Sequence, residues 1–383
     1  MSEGRAERRA RTVGREMAGV ALEFLPLVAL VALYAAGRAV LEVRTGTRWH
    51  IIAFGVLRDS AYWFLVGGTI GLVGSTLQFV WRDWRRAGAD GTREGAGEVG
   101  SRGPVGRWLR HLASRFGIAR VAGAAAAVLL MVVFLQLFEA VKTAIPVIHP
   151  FSWDQALYHA DRALALGHDP WRLLQPFLGH PVVTHVLDDG YAIWYVVIMG
   201  TLLWQCWSPR RGLRDRFLLA FVLCWAVLGS VLATLFSSAG PTYYGQVVGH
   251  PDPYTPLMDY LRRVDAVHSV TALKIQRYLW EGYTGVAVHS VQGISAMPSL
   301  HVSMAVLATL VAARYRRWLA VPFGAFTVLV FLGSIELAWH YAVDGYVAAV
   351  LTLGCWWAAC WMLDRYEAAT GRSAAEPGGS GRS

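Results

Sequence analysis

The sequence predicts an all-α, polytopic membrane protein with about eight transmembrane helices and short extracytoplasmic helices, and two observations carry that prediction. The first is composition: 55% of the 383 residues are hydrophobic and 16% are charged, whereas a soluble domain carries roughly a quarter of its residues as charges. The second is the gathering of apolar residues into runs near the roughly 20 residues that a helix needs to cross a bilayer core of about 30 Å. Such runs occupy approximately 18–37, 57–80, 119–143, 190–208, 217–237, 300–314, 318–338 and 341–363. Several contain Gly or a polar residue and the sixth is short, so seven is the competing count.

The first run follows five Arg within fifteen residues and reads as an uncleaved anchor, because further spans come after it. Arg is dense in SEGRAERRARTVGR, in the linker at 81–118, in SPRRGLRDR and in RYRR. Two spans separate each cluster from the next, so the positive-inside rule puts all of them, and both termini, in the cytoplasm. The alternate segments, 144–189 and 238–299, then face outward, and the plasma membrane is the expected location. The chain divides into a cytoplasmic segment 1–17, N-terminal spans 18–143 with a flexible Gly-rich linker at 81–118, a membrane domain 144–363 and a disordered tail 364–383. In the first outer segment, FSWDQALYHADRALALG predicts a short interfacial helix with Ser152 as N-cap, Gln155 as its capping-box partner and Gly167 as the stop.

The net charge of +9 does not indicate nucleic acid as a partner, because the Arg residues lie in short clusters between apolar runs and no binding motif accompanies them. Four Cys, all inside apolar runs and without a CxxC pair, predict free thiols rather than disulfides or a zinc site.

Chemistry concentrates in two stretches. AMPSLHVSMAVL places the imidazole of His301 at the mouth of the sixth run, and HYAVD places His340 four residues before Asp344. If the last helix starts near 340, His340 and Asp344 share one face, and the carboxylate can accept a proton from one ring nitrogen while the other points elsewhere. The sixth and eighth runs both begin on the outer side, so His301 and His340 can converge there. A histidine oriented by a carboxylate and a second, unpaired histidine supply a nucleophile and a general acid.

PSLH and HYAVD resemble the second and third signature motifs of the type 2 phosphatidic acid phosphatase (PAP2) superfamily. The Leu before the first histidine, the Tyr after the second and the upstream FSSAGPTYY are most similar to its inositolphosphotransferase branch, which includes the fungal inositol phosphorylceramide synthases. WDQALYHADRALALGHDPWRLLQPFL also resembles the region these relatives carry ahead of the core, so the likeness runs over roughly 150–360. It implies a PAP2-like helical core in 144–363, a metal-independent reaction with no cofactor, His340 as the attacking nucleophile, Asp344 as its orienting carboxylate and His301 as the proton donor to the leaving oxygen. The superfamily carries cations where this chain has Ala233, Gly240 and Ser334. Replacement charge for the substrate phosphate is therefore expected from Arg262, Arg263, Lys274 and Arg277, with Ser299 and the amides that open the sixth helix as further donors, and with Tyr243 and Tyr244 beside them. Lys274 is one of only two lysines in the chain.

The activity implied is transfer of a phosphoryl head group from a membrane phospholipid or prenyl phosphate to an inositol, sugar or lipid-alcohol acceptor, with hydrolysis by water as the alternative. A lipid transporter, an inactive scaffold and a metal-dependent hydrolase are the competing classes. Ionisable residues at mid-span would favour transport, and only Glu336 and Glu139 are candidates. Asp188, at a span entrance, reads as a cap.

Overall fold

A computed structural model describes residues 2–46, 53–89, 104–285 and 293–371. The regular structure among the described residues is all helical: α1 (Ser2–Glu23), α2 (Leu25–Thr45), α3 (Ala53–Ala89), α4 (Pro104–Arg115), α5 (Ile118–Ile148), α6 (Asp154–Leu164), α7 (Pro170–Leu178), α8 (Pro181–Ala192) and α9 (Trp194–Cys206) form the first half. The second half comprises α10 (Arg211–Ala226), which continues through a π-helical segment (Val227–Leu232) into α11 (Ala233–Leu235), then α12 (Tyr244–Val247), α13 (Thr255–Asp265), α14 (Thr271–Tyr283), α15 (Leu300–Tyr315), α16 (Ala320–Glu336) and α17 (Ala342–Thr370).

Among the described residues seven helices are long and apolar enough to cross a membrane: Leu25–Arg44, Gly55–Arg85, Ile118–Ile148, Pro181–Cys206, Arg211–Leu235, Arg317–Glu336 and Ala342–Thr370. α15, at Leu300–Tyr315, is apolar but shorter. The first span sits further along the chain than its run suggests. Pro26 lies in the first turn of α2, where a missing N–H costs nothing, so the helix restarts at Leu25 and the Arg-rich stretch before it forms the separate α1. The linker is also shorter than expected: α3 extends to Ala89 and α4 begins at Pro104. Trp108 of α4 donates its indole N–H to Thr76 Oγ1 of α3 at 3.3 Å, which ties the two helices together. Residues 90–103, the middle of that linker, and most of the predicted tail lie outside the described residues.

α10 is the axis of the bundle. Phe217, Leu218, Leu219, Ala220, Phe221, Val222 and Cys224 are all buried, as befits a helix apolar on every side. It packs against α15 and α17, which also pack on each other, while α16 covers α15 and α8, and α3 covers α5. Hydroxyl pairs join these faces: Ser303 with Thr352 at 2.7 Å and Thr309 with Thr327 at 2.9 Å, the kind of short polar contact that ties helices where water is absent. Leu65, Ile70 and Leu77 on α3 and Val350 and Trp357 on α17 are exposed, which matches a lipid-facing surface.

The two ends of the bundle differ. At one end the basic clusters meet: Arg210 donates to Tyr315 O at 3.1 Å, Arg216 pairs with Asp364 at 2.7 Å, and Arg214 pairs with Glu23. At the other, the short helices gather: α6 packs on α17, α7 on α16, and α14 on α8 and α13. All four cysteines are free thiols.

Candidate active site

His301 lies in the first turn of α15, whose N-cap is Ser299; the Ser299 hydroxyl accepts the Val302 amide at 3.4 Å. The Ser299 amide in turn donates to the backbone carbonyl of Asp344 at 3.3 Å, which welds the two motifs together. Ser299 is fully buried, and its hydroxyl oxygen caps the helix.

α17 starts at Ala342, two residues past His340, so His340 stands just outside the helix and reaches Asp344 around a turn. His340 Nδ1 lies 3.3 Å from Asp344 Oδ2, and the same oxygen accepts the Tyr341 amide at 3.1 Å. With Nδ1–H given to the carboxylate, Nε2 keeps its lone pair. The turn that carries His340 is held from several directions. Ser334 O accepts the amides of both Trp339 and His340, at 2.9 and 3.0 Å. Leu337 O accepts the Gln276 side chain at 2.8 Å, and Ala338 O accepts the Thr242 amide at 3.0 Å. Ala338 itself has φ 58°, a left-handed conformation that an alanine holds only when its surroundings over-determine it.

The rings of His301 and His340 are 5.7 Å apart. His301 is flanked by Tyr191, stacked at 4.7 Å, and by Trp194 at 4.4 Å, whose indole N–H donates to His301 O at 2.9 Å. A cavity of about 340 Å³ opens onto His301, and Tyr191 and Trp339 form part of its wall. His340 is not in the wall; it sits one layer behind, 5% exposed, with Asp344 fully buried.

Two carboxylates from α6 build this arrangement. Asp154 accepts the amides of Ala239 and Gly240, at 3.0 and 2.8 Å, and the Tyr341 hydroxyl at 2.9 Å. Asp161 accepts the amides of Ala342 and Val343, at 2.8 and 2.7 Å, the otherwise orphaned donors of the first turn of α17. Burial pushes the Asp161 carboxyl up to about 7, with smaller upward contributions from Asp344 and Asp169 and opposing ones from the two amides. Burial likewise raises Asp154, against the pull of its three donors. Both acids were legible in principle. Asp154, Leu157 and Asp161 are the buried residues of α6, an i, i+3, i+7 stripe; acids on such a stripe need donors, and here the donors are the two active-site loops. The predicted cap is displaced: α6 begins at Asp154 with Trp153 as N-cap and ends at Leu164, while the amides of Ser152 and Trp153 both donate to Ser237 O.

Gly240 has φ 101°, and a Cβ there would lie 2.7 Å from Trp339 O. Only glycine lets the Ser237–Pro241 loop lie flat against the His340 turn.

The four cations expected at the phosphate do not line this cavity. Arg262, Arg263, Lys274 and Arg277 are all exposed, and Arg262 pairs with Asp259 at 2.8 Å. α13 and α14 are amphipathic helices that bury Leu257, Leu261 and Val264, and Ala272, Leu273 and Gln276; the cations occupy the remaining positions, which face away from the core. Tyr243 and Tyr244 are packing residues: Tyr243 donates to Gln276 O at 2.7 Å and stacks on Trp280, and Tyr244 joins Tyr158 and Tyr254. Asp188 is a cap, though of α14 rather than its own helix, accepting the amides of Thr271 and Ala272 at 2.6 and 2.9 Å.

The other lysine of the chain, Lys142 of α5, does line the cavity with His301, together with Glu139. It sits outside the recognised motifs, and the signal that could have found it is a lysine inside a long apolar helix, where an ionisable residue points to function. Among the described residues no group of three or more His, Cys, Asp and Glu is arranged to hold a metal ion.

No curated protein and no solved structure matches the chain. The sequence profile of the PAP2 superfamily matches residues 155–358, a stretch running from α6 into α17 that includes His301, His340, Asp344, Asp161 and the Gly240 loop. With more than half of its length in that match, the chain belongs to the PAP2 superfamily.

Proposed function

We propose that this protein is a membrane phosphotransferase of the inositolphosphotransferase-like kind, acting on a lipid-linked phosphate through a phosphohistidine intermediate. The observation that carries the reading is the His340–Asp344 pair, with Nδ1 engaged by the carboxylate at 3.3 Å and a second imidazole 5.7 Å away at the mouth of a cavity. His340 Nε2 attacks phosphorus, the bond to the leaving oxygen breaks, and His301 gives that oxygen a proton. An acceptor hydroxyl then attacks the phosphohistidine and returns its proton to His301, and no metal takes part.

The cavity supports a lipid substrate. Phe138, Tyr195, Ile275 and Leu279 contribute apolar wall, and Tyr195 and Ile275 are exposed on the outside of the bundle, so an acyl or prenyl chain can lie in the bilayer while its phosphate reaches His301. The burial of His340 supports transfer over hydrolysis. Water at tens of molar outcompetes an acceptor unless the pocket holds that acceptor in place and keeps bulk solvent out.

The test is rapid-quench trapping of label from a panel of radiolabelled phospholipids and prenyl phosphates, with and without inositol or a lipid alcohol, under alkaline handling that preserves phosphohistidine. His340→Ala should abolish both trapped label and turnover, and Asp344→Asn should be nearly as severe. His301→Ala should keep substantial turnover of a nitrophenyl phosphate ester, whose leaving group needs no proton. Label trapped in His340→Ala but not in His301→Ala would reverse the two roles, and efficient turnover with no label in wild type would replace the covalent path by direct attack of water. Activity abolished by a strong chelator would favour the metal-dependent class.

A further inference from the structure

A phosphoryl group entering the cavity brings up to two negative charges into a largely apolar enclosure, where an uncompensated charge is costly. Among the described residues the wall holds one lysine, Lys142, and no arginine. Its place is set from outside the helix. Gly293, in the segment that leads into the PSLH motif, lies so close to the Lys142 backbone that any Cβ there would collide with the Lys142 carbonyl, so the lysine and the segment leading to His301 are positioned as one unit.

A second, independent observation points to an anion. Tyr191 Oη and Trp339 Nε1 are buried polar atoms without a hydrogen-bond partner among the described residues, and both residues line the same cavity. Buried donors are almost always satisfied, and leaving one unmade costs about 1–3 kcal/mol. The two rings stack at 6.1 Å and 7°, and Tyr191 also stacks on His301 at 4.7 Å. Orphaned donors, a lysine and a histidine around one space form a set that an anion with several acceptor oxygens satisfies at once.

We propose that Lys142, with Tyr191 Oη and Trp339 Nε1, is the subsite that binds the phosphoryl oxygens of the substrate. This rests on the reading of the cavity as a phosphoryl-transfer site. Glu139, one turn earlier on the same helix and also in the wall, makes no ion pair with Lys142, so its carboxylate acts on a bound anion by repulsion, and the flexible four-carbon stem leaves the ammonium able to reach the phosphate. Asp188, the other acid in the wall, is engaged by two amides.

The experiment is titration of the full-length protein in lipid nanodiscs with inorganic phosphate, followed by calorimetry, beside turnover of nitrophenyl phosphate. Lys142→Gln should weaken phosphate binding and lower kcat/KM by about 100-fold, the scale of losing a strong transition-state donor, and Lys142→Arg should recover most of both. Tyr191→Phe removes only an unpaired hydroxyl, so it should weaken phosphate about tenfold without lowering the melting temperature. Glu139→Gln removes the repelling carboxylate and should tighten phosphate several-fold. Lys274→Gln, at the exposed lysine, should bind phosphate as wild type does. Should Lys142→Gln fail to fold, the opposite signs expected for Tyr191→Phe and Glu139→Gln still decide. Wild-type phosphate affinity in Lys142→Gln, or no phosphate binding by the wild type, would overturn the assignment. The two readings fail separately: turnover that ignores Lys142 leaves the phosphotransferase standing without this subsite, and Lys142-dependent phosphate binding without turnover of any phosphate ester does the reverse.

Discussion

Asp161 shows how much of this site depends on single buried carboxylates. It accepts two backbone amides at the start of α17, yet burial raises its pKa to about 7 from an ordinary value of 3.8. The sign of the consequence follows from proton linkage: the folded state holds the proton more tightly than the unfolded chain, so this group's contribution is fully present below about 4 and is lost as pH rises towards about 7. Melting temperatures in detergent between pH 4.5 and 7.5 should therefore carry a falling component that Asp161→Asn removes. An unchanged pH profile in that variant would mean that other groups set the dependence. His340 teaches a related lesson, since its ring is oriented by a residue in the first turn of the next helix rather than by a shared helical face.

At the scale of elements, the site is a junction of three chain segments rather than a pocket in one. The loop before Pro241, the N-terminus of α15 and the turn between α16 and α17 meet through Asp154, Ser299 and the carbonyl group of Ala338. Gly240 is where two of them touch, with φ 101° and no room for a Cβ beside Trp339 O. Gly240→Ala should destabilise the protein by about 1–3 kcal/mol through backbone strain and reduce turnover further by displacing the His340 turn. Thermal melts beside initial rates would check this, and a variant with full activity and an unchanged melt would show that the loop can shift without consequence. Gly229 of the π-helical segment Val227–Leu232 packs against Leu300, beside His301, as such insertions often do near functional sites.

For the whole molecule, the basic clusters and the two histidine motifs occupy opposite ends of the bundle, which makes the orientation in the membrane a question about function. By the positive-inside rule the basic end is expected in the cytoplasm and the histidine end outside. In a Cys360→Ser background, which leaves only buried native thiols, Arg211→Cys should react with an impermeant maleimide only from the cytoplasmic side. Val267→Cys, 78% exposed at the far end, should react only from outside. Reaction of Val267→Cys from the cytoplasm would put the active site on the inner face and require a cytoplasmic supply of substrate.

What the sequence determined by itself was whatever local pattern and chemistry encode. Apolar runs long enough for a bilayer produced seven long apolar helices, with the shorter α15 on the run already marked as short. The spacing of HYAVD put His340 within reach of Asp344 and the PSLH motif marked His301, because both are local patterns, while the turn that sets the ring against the carboxylate is held from elsewhere by Gln276 and Thr242. The cations were different. Arg262, Arg263, Lys274 and Arg277 lie between the motifs in sequence, yet each falls on the exposed face of an amphipathic helix, because the apolar stripes of α13 and α14 claim the core side. Lys142 precedes both motifs by more than a hundred residues and reaches the cavity only because α5 packs beside the segment at Gly293. Asp154 and Asp161 carried a stripe that announced their burial but not their partners. A charge at the end of a flexible side chain takes its role from the surface that packing places opposite it, and that surface exists only once the helices have assembled.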